Sequence, residues 1–234
     1  MLKYLLMNTT PNVVAIDGPV ASGKGTIARL LARELGYTCL STGDIFRGIS
    51  VHMMRAGVDP FNRQDVIACL DSLDMRVKCE NGETLVFLGE REEDISDQLH
   101  LIETSKYVYK VALIPEVREV SSLIQKRIAT EGNLVCEGRD IGSVVFPNAK
   151  HKFYLDASVD ERARRRWNQD RLQDPTLTVA QVKEGIQKRD LMDMNRKESP
   201  LIVAPGAIVI NGDRTPPEIV ADMLSYIRHQ NPKE

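Results

Sequence analysis

Val13-Val14-Ala15-Ile16-Asp17 runs directly into Gly18-Pro19-Val20-Ala21-Ser22-Gly23-Lys24-Gly25-Thr26, and the fold can be read outward from this stretch. Four apolar residues in a row, three of them β-branched, predict a strand ahead of the loop. After the glycines, Ile27, Leu30, Leu31 and Leu35 recur at helical spacing and Gly36 supplies a left-handed stop, which predicts a helix packed on the sheet. A glycine-rich turn between strand and helix lets successive backbone N–H groups converge on phosphate oxygens. The helix start adds partial positive charge, and Lys24 can reach the terminal phosphates. Gly18, Pro19, Val20, Ala21, Ser22, Gly23, Lys24, Gly25 and Thr26 are therefore the expected polyphosphate-binding residues. The alternative is an ordinary turn that happens to be glycine-rich.

The Walker pattern places Ser or Thr directly after the lysine, to hold Mg2+. Here Gly25 sits there, and the hydroxyl comes one residue later at Thr26. Gly-Lys-Gly-Thr resembles the loop of nucleoside monophosphate kinases. That resemblance implies ATP with Mg2+ as donor, the metal held by the nucleotide and by no protein ligand directly, with Thr26 and Glu137 acting through water or phosphate.

At 234 residues the chain can bury a core in one domain carrying an insertion. Its net charge of −2 argues against a broad nucleic-acid-binding face, so anion sites must come from local arginine clusters. Cys39, Cys69, Cys79 and Cys136 show no Cys-x-x-Cys pair and suggest neither zinc nor a disulfide framework. Met1-Leu2-Lys3-Tyr4-Leu5-Leu6-Met7 is too short for a signal sequence and lacks a small-residue cleavage site, so a frayed or packed extension is expected there. No run of about 18 apolar residues occurs, so no membrane span is expected, and a reduced cytoplasmic setting follows.

Further along, Tyr37-Thr38-Cys39-Leu40 reads as a buried strand ending in Ser41-Thr42-Gly43-Asp44, with Arg47 in the helix that follows. Ligands gather at such strand ends, although Ser41 and Thr42 could simply be caps. Alternation around Asn81-Gly82 predicts a β-hairpin, which does not belong in a parallel βαβ series. A small α+β insertion is therefore placed at 66–114, dividing a core of 1–65 and 115–234. Pro115 opens a helix with Val117, Val120, Ile124 and Ile128 on one face, and Arg118 near its start is either solvated or meets a polar ligand.

Leu134-Val135-Cys136 predicts a strand that presents Glu137-Gly138-Arg139-Asp140 where the core should meet ligands. Ser158 and Glu161 form an expected capping box that launches Arg162, Arg164, Arg165 and Arg166. These arginines are either a solvated face or a lid, at about 160–177, that brings cations onto transferring phosphates. Thr178 and Gln181 cap a further helix on which Val182, Ile186, Arg189, Asp193 and Arg196 share a face. That stripe is either an ion-pair ladder or a set of charges aimed at nucleotide sugar and phosphates. With Ala207–Asn211 as the last strand, the tally fits an α/β fold: a five-stranded parallel sheet with helices on both faces.

From Val13 onward the order of motifs resembles the bacterial cytidylate kinases. The residues that carry the resemblance are Gly18 to Thr26, Ser41-Thr42-Gly43 with Arg47, the hairpin insert and Pro115-Glu116-Val117-Arg118. Gly138-Arg139-Asp140-Ile141-Gly142-Ser143-Val144-Val145-Phe146-Pro147, Phe153-Tyr154-Leu155-Asp156-Ala157-Ser158 and Arg189-Asp190 onward to Asn195-Arg196 complete it. The resemblance implies transfer of the ATP γ-phosphate to CMP or dCMP by a monomer. Thr42, Arg47, Arg118 and Asp140 would contact cytosine or the CMP phosphate, with Arg118 and Asp140 reading the base. Arg139, Arg189, Asp193 and Arg196 would serve phosphate and ribose. Lys24, Arg139, Arg189 and the lid residues Arg162 and Arg166 would stabilise the transferring group.

Three departures stand out. Tyr109 replaces a small hydroxyl residue that helps hold cytosine, His100 stands where the family usually has arginine, and Glu137 replaces the usual aspartate. The competing expectations are a kinase for another monophosphate, UMP or AMP, and a non-catalytic nucleotide-gated switch.

Overall fold

The computed structural model describes residues 12–172 and 174–230, and the expected extension at Met1–Met7 lies outside the described residues. In chain order the elements are β1 (Val13–Asp17), α1 (Lys24–Leu35), β2 (Thr38–Ser41), α2 (Thr42–Arg55), α3 (Arg63–Asp71), β3 (Met75–Glu80), β4 (Glu83–Leu88) and β5 (Glu93–Asp94). They continue as α4 (Ile102–Val111), α5 (Pro115–Ala129), β6 (Leu134–Gly138), β7 (His151–Asp156), α6 (Val159–Asp170), α7 (Val179–Asn195), β8 (Ile208–Asn211) and α8 (Pro216–Gln230). Five strands form a parallel sheet in the order β2-β6-β1-β7-β8, and a second sheet runs β3-β4-β5. The chain divides into two compact units, one containing Thr38–Leu134 and the other Asn12–Tyr37 with the chain from Val135 onward.

In the second of these units β1 is buried at all five positions, so both of its faces are covered, as its unbroken apolar run requires. It pairs in parallel with β7, Ile16 lying opposite Phe153, and β7 pairs in parallel with β8. α1 turns Ile27, Ala28, Leu31 and Ala32 inward and stops at Gly36 in the left-handed conformation. α8 buries Ile219, Val220, Met223 and Ile227 in the same way. Between β6 and β7, Ile141–Val145 forms a π-helical turn that apolar periodicity does not announce.

In the unit containing Thr38–Leu134, Asn81 and Gly82 both take positive φ, 53° and 79°, and join β3 to β4 in an antiparallel ladder with Glu80 opposite Glu83. This is the two-residue turn whose twist matches the strands it joins. The two-residue strand β5 adds to β4. Val86, Leu88, Ile95 and Leu99 pack with Val51 of α2 to form this unit's own core.

Two local expectations are corrected. On α5 the buried positions are Val117, Arg118, Ser121, Gln125, Ile128 and Ala129, while Val120 and Ile124 are only partly buried. Gln125 Nε2 donates to Ser121 Oγ at 2.9 Å, so two polar side chains satisfy each other inside the packed face. At the start of α6 only half of the capping box forms. The Ser158 hydroxyl accepts from Glu161 N–H, but the Ser158 N–H donates to Asp213, and the Glu161 carboxylate turns to Arg164 and Arg165. The Thr178–Gln181 box on α7 is complete.

All four cysteines are free, and Cys39, Cys69 and Cys136 are buried. Among the described residues no helix is long and apolar enough to cross a membrane.

Candidate active site

The phosphate loop begins hard against β7. A Cβ added at Gly18 would stand 2.3 Å from the Leu155 carbonyl oxygen, so only glycine lets the chain turn there. The loop then passes through Ala21 at φ 60° and Gly23 at φ 95°, and Gly23 caps α1 without any side-chain cap bond. The first N–H groups of α1 thus have no side chain competing for them, the arrangement that favours an anion.

Lys24 is buried at the first position of α1, and its ammonium donates to Pro19 O at 2.7 Å and to Ser22 Oγ at 3.2 Å. Burial pushes its pKa down to about 7. Nearby Arg139 adds to the depression, and Glu137, Asp17 and Asp193 pull the other way. A lysine so placed gains from an incoming polyanion, which would hold its proton on.

Thr26, the hydroxyl of the shifted Walker pattern, is exposed. A Cβ at Gly25 would lie 4.0 Å from Glu137 Oε1, so the place of the missing Walker hydroxyl is open and faced by a carboxylate. Among the described residues no group of three or more His, Cys, Asp or Glu side chains could hold a metal ion. One carboxylate facing the loop start could bind the water of a cation carried in by a nucleotide.

Beyond β6 lies a dense charge cluster. Asp193, 1% exposed, accepts from Arg139 Nε and from Arg189 Nε, each at 3.1 Å, and faces Arg196 Nη1 at 3.6 Å. Arg196 Nη2 also lies 3.7 Å from Asp140 Oδ1. Burial alone would raise the Asp193 pKa, but Arg139, Arg189 and Arg196 outweigh it and hold the carboxyl below its ordinary range. The structure thus gathers five expected site residues, Arg139, Asp140, Arg189, Asp193 and Arg196, from the end of β6 and the last turns of α7.

Asp17 was passed over in the sequence and proves central to this arrangement. Its two carboxylate oxygens accept the backbone N–H groups of Ile141 and Gly142, both at 2.8 Å, which fixes the π-helical turn directly after Arg139 and Asp140. Burial pushes the Asp17 pKa up to about 6, against those two backbone donors. The available signal was an acid closing an otherwise apolar strand.

The arginines of α6 are each engaged. Arg162 is buried on Ala157 O, Val20 O and Asp190, and Arg166 Nε donates to Asp170 at 2.7 Å. Arg164 pairs with Glu161, and Arg165 reaches the phosphate loop at Ser22 O. Arg165 and Asp190 are loop contacts that helical spacing alone did not single out.

The unit containing Thr38–Leu134 carries the remaining candidates. Thr42 is buried at the first position of α2, after Ser41, whose N–H donates to Thr84 Oγ1 at 2.9 Å. The Arg47 guanidinium folds back over Gly43, where a Cβ would lie 2.8 Å from Nη1, and it meets Asp44 at 3.4 Å. His100 approaches the same Asp44 oxygen at 3.5 Å. Arg118 is buried rather than solvated, donating to Ala112 O at 2.9 Å with its guanidinium 5.3 Å from the Phe46 ring centroid. Tyr109, on α4, is 38% exposed.

Residues 14–229 match the sequence model of the cytidylate kinase family. The chain belongs to that family. The cytidylate kinase of Caldicellulosiruptor bescii is 38% identical over 198 residues, covering 85% of this chain and 87% of that one. The cytidylate kinase of Caldanaerobacter subterraneus subsp. tengcongensis is 38% identical over 92% of this chain and 94% of that one, and the cytidylate kinase of Streptococcus gordonii 35% over 94% and 96%. The cytidylate kinase match begins one residue into β1 and ends one residue short of the end of α8. Both charge clusters, the one around Asp193 and the one around Asp44, therefore lie within it.

Proposed function

We propose that this protein transfers the γ-phosphate of ATP to CMP or dCMP, giving ADP and CDP or dCDP. The observation that carries the reading is the Asp193-centred cluster of Arg139, Arg189 and Arg196, in the same unit as Lys24 and its loop. One triphosphate does not need so many cations, whereas a donor, an acceptor phosphate and a transferring group between them do.

Phosphoryl transfer asks little covalent chemistry of a protein, so catalysis rests on positioning and on charge placed where it develops. Lys24 and the loop N–H groups take the donor phosphates. Arg139 and Arg189, held on one carboxylate, present their remaining N–H groups to phosphate oxygens, and Arg166 can join them on leaving Asp170. Asp193 and Arg196 order this cluster and serve the ribose. Mg2+ carried by the nucleotide would neutralise phosphate charge, with Glu137 beside Gly25 placed to hold its water and Thr26 further out.

On the acceptor side Thr42 and Arg47 are proposed to bind the CMP phosphate, with Arg118, Asp140 and Tyr109 at the base and the 66–114 segment as the mobile acceptor-binding part. The protein is proposed to act as a monomer. An ADP-release assay across CMP, dCMP, UMP, AMP and GMP tests the proposal: CMP and dCMP should be the best acceptors. AMP or GMP outrunning CMP would overturn the acceptor assignment, and ATP binding without transfer to any monophosphate would favour a nucleotide-gated switch.

A further inference from the structure

Ala21 sits in the left-handed region, which L side chains disfavour, so contacts outside the loop must hold it there. α6 and α7 supply them. Val20 and Ala21 pack against Ala163, Val182 and Ile186, together with Trp167 and Leu177. Val20 also has both its backbone groups bound by one buried ion pair. Arg162 Nη1 donates to Val20 O at 3.1 Å and to Asp190 Oδ2 at 2.6 Å, while Asp190 Oδ1 accepts the Val20 N–H at 3.4 Å. Arg162 Nε is tied to Ala157 O at 3.0 Å, which fixes the plane of the guanidinium.

One turn further along α6, Arg165 donates to Ser22 O at 3.1 Å and to Gly212 O at 2.9 Å, and is braced by Glu161 at 2.8 Å. The peptide group is planar and trans, so its C=O and N–H point in opposite directions. Holding the carbonyls of Val20 and Ser22 from the helix side therefore turns the N–H groups of Ala21 and Gly23 the other way, toward a bound phosphate.

We propose that the Arg162–Asp190 pair, with Arg165, is a positioning clamp on the phosphate loop, acting on ATP through the loop backbone and not by touching the transferring group. This rests on reading the loop as the ATP site, and it gives Arg162 a different task from that of a lid arginine. Asp190 separates the two ideas by sign. Removing a carboxylate near a polyphosphate should, by charge alone, leave ATP binding as tight or tighter; loss of a clamp should weaken it.

The experiment measures direct binding of a fluorescent ATP analogue with Mg2+, and steady-state turnover with CMP, for wild type, Asp190→Asn, Arg162→Lys and the double variant. Asp190→Asn and Arg162→Lys should each weaken nucleotide binding about tenfold, while the CMP KM at saturating ATP stays within about twofold. The double variant should be no worse than the worse single one, since the pair acts as a unit. A folded Asp190→Asn protein that binds ATP as tightly as wild type overturns the proposal, and so does an Arg162→Lys protein that loses kcat with its ATP affinity intact. Thermal melts identify any variant that does not fold. Arg165→Gln, whose parent side chain is only partly buried, then carries the comparison and should weaken ATP in the same direction. Wild type that binds ATP but fails to phosphorylate CMP would sink the acceptor reading and leave this comparison standing.

Discussion

The unit that carries the phosphate loop and the unit containing Thr38–Leu134 handle charge differently. In the first, Asp193 accepts hydrogen bonds from Arg139 and Arg189, and Asp190 from Arg162, so these three cations are fixed before any ligand arrives. In the second, Arg47 reaches Asp44 only at 3.4 Å, and its Nε is buried with no hydrogen-bond partner. A buried donor left unmet costs on the order of 1–3 kcal/mol, a deficit that a ligand oxygen can relieve. On the proposed roles, transition-state charge would be met by groups that need not reorganise, while the acceptor would supply the hydrogen-bond partner that Arg47 Nε lacks.

The contrast is tested most severely at Lys24. Removing a preorganised cation from the transferring phosphate should cost about 10^2 to 10^3 in kcat, so Lys24→Ala is expected to fold normally and turn over CMP at that reduced rate. Stopped-flow or coupled-assay kinetics on a variant with a wild-type melting curve decides it; unchanged turnover would remove the loop from the mechanism.

A smaller effect is expected at the base. Cytosine offers an amino donor where uracil offers a carbonyl, and a carboxylate accepts from the first and opposes the second. Asp140→Ala should therefore lower the preference for CMP over UMP by about ten- to a hundredfold, read as the ratio of kcat/KM values. Equal losses on both substrates would confine Asp140 to ordering Arg196.

The smallest effect is a fraction of a proton. Folding lowers the Lys24 pKa from 10.5 to about 7, so between those values the unfolded chain holds a proton that the folded chain has released. This group's contribution to stability therefore rises with pH across that window. Bound polyphosphate should restore the proton, so ATP binding at pH 8 should take up close to one proton, about 0.9, and at pH 6 only about 0.1 from this site. Calorimetry in buffers of different ionisation enthalpy measures the uptake. In Lys24→Arg, whose side chain stays charged, the uptake should vanish.

The unit that carries the phosphate loop was also the more legible of the two in sequence. Its loop is contiguous and its chemistry local, and the stripe along α7 kept its spacing in the structure, bringing Arg189 and Asp193 to one cluster with Arg196. What the sequence does not report is polar and tertiary. Ser121 and Gln125 are buried because they bond each other, and no apolar period reports that. The Ser158 cap lost its second half because Asp213, distant in sequence, took the N–H. Asp17 works through backbone groups of residues 141 and 142, whose identities say nothing about it. β5, two exposed residues long, is defined only by its pairing with β4. Thr42, Arg47, Tyr109 and Arg118 come from three helices; their place after a strand end links the first two, and only the family resemblance adds Tyr109 and Arg118 to them.

The four free thiols have a practical consequence. The thiolate is the reactive form of cysteine, and burial pushes the Cys79 thiol up to about 11 and that of Cys69 above its usual value. Near neutral pH Cys79 is therefore held as the thiol, and Cys39 and Cys136 are shut away in the core. Maleimide and nitroxide reagents should therefore meet a nearly silent background. One cysteine engineered onto each unit, for instance at exposed positions of α3 and α8, would then report by distance spectroscopy how the two units respond to ATP and to CMP.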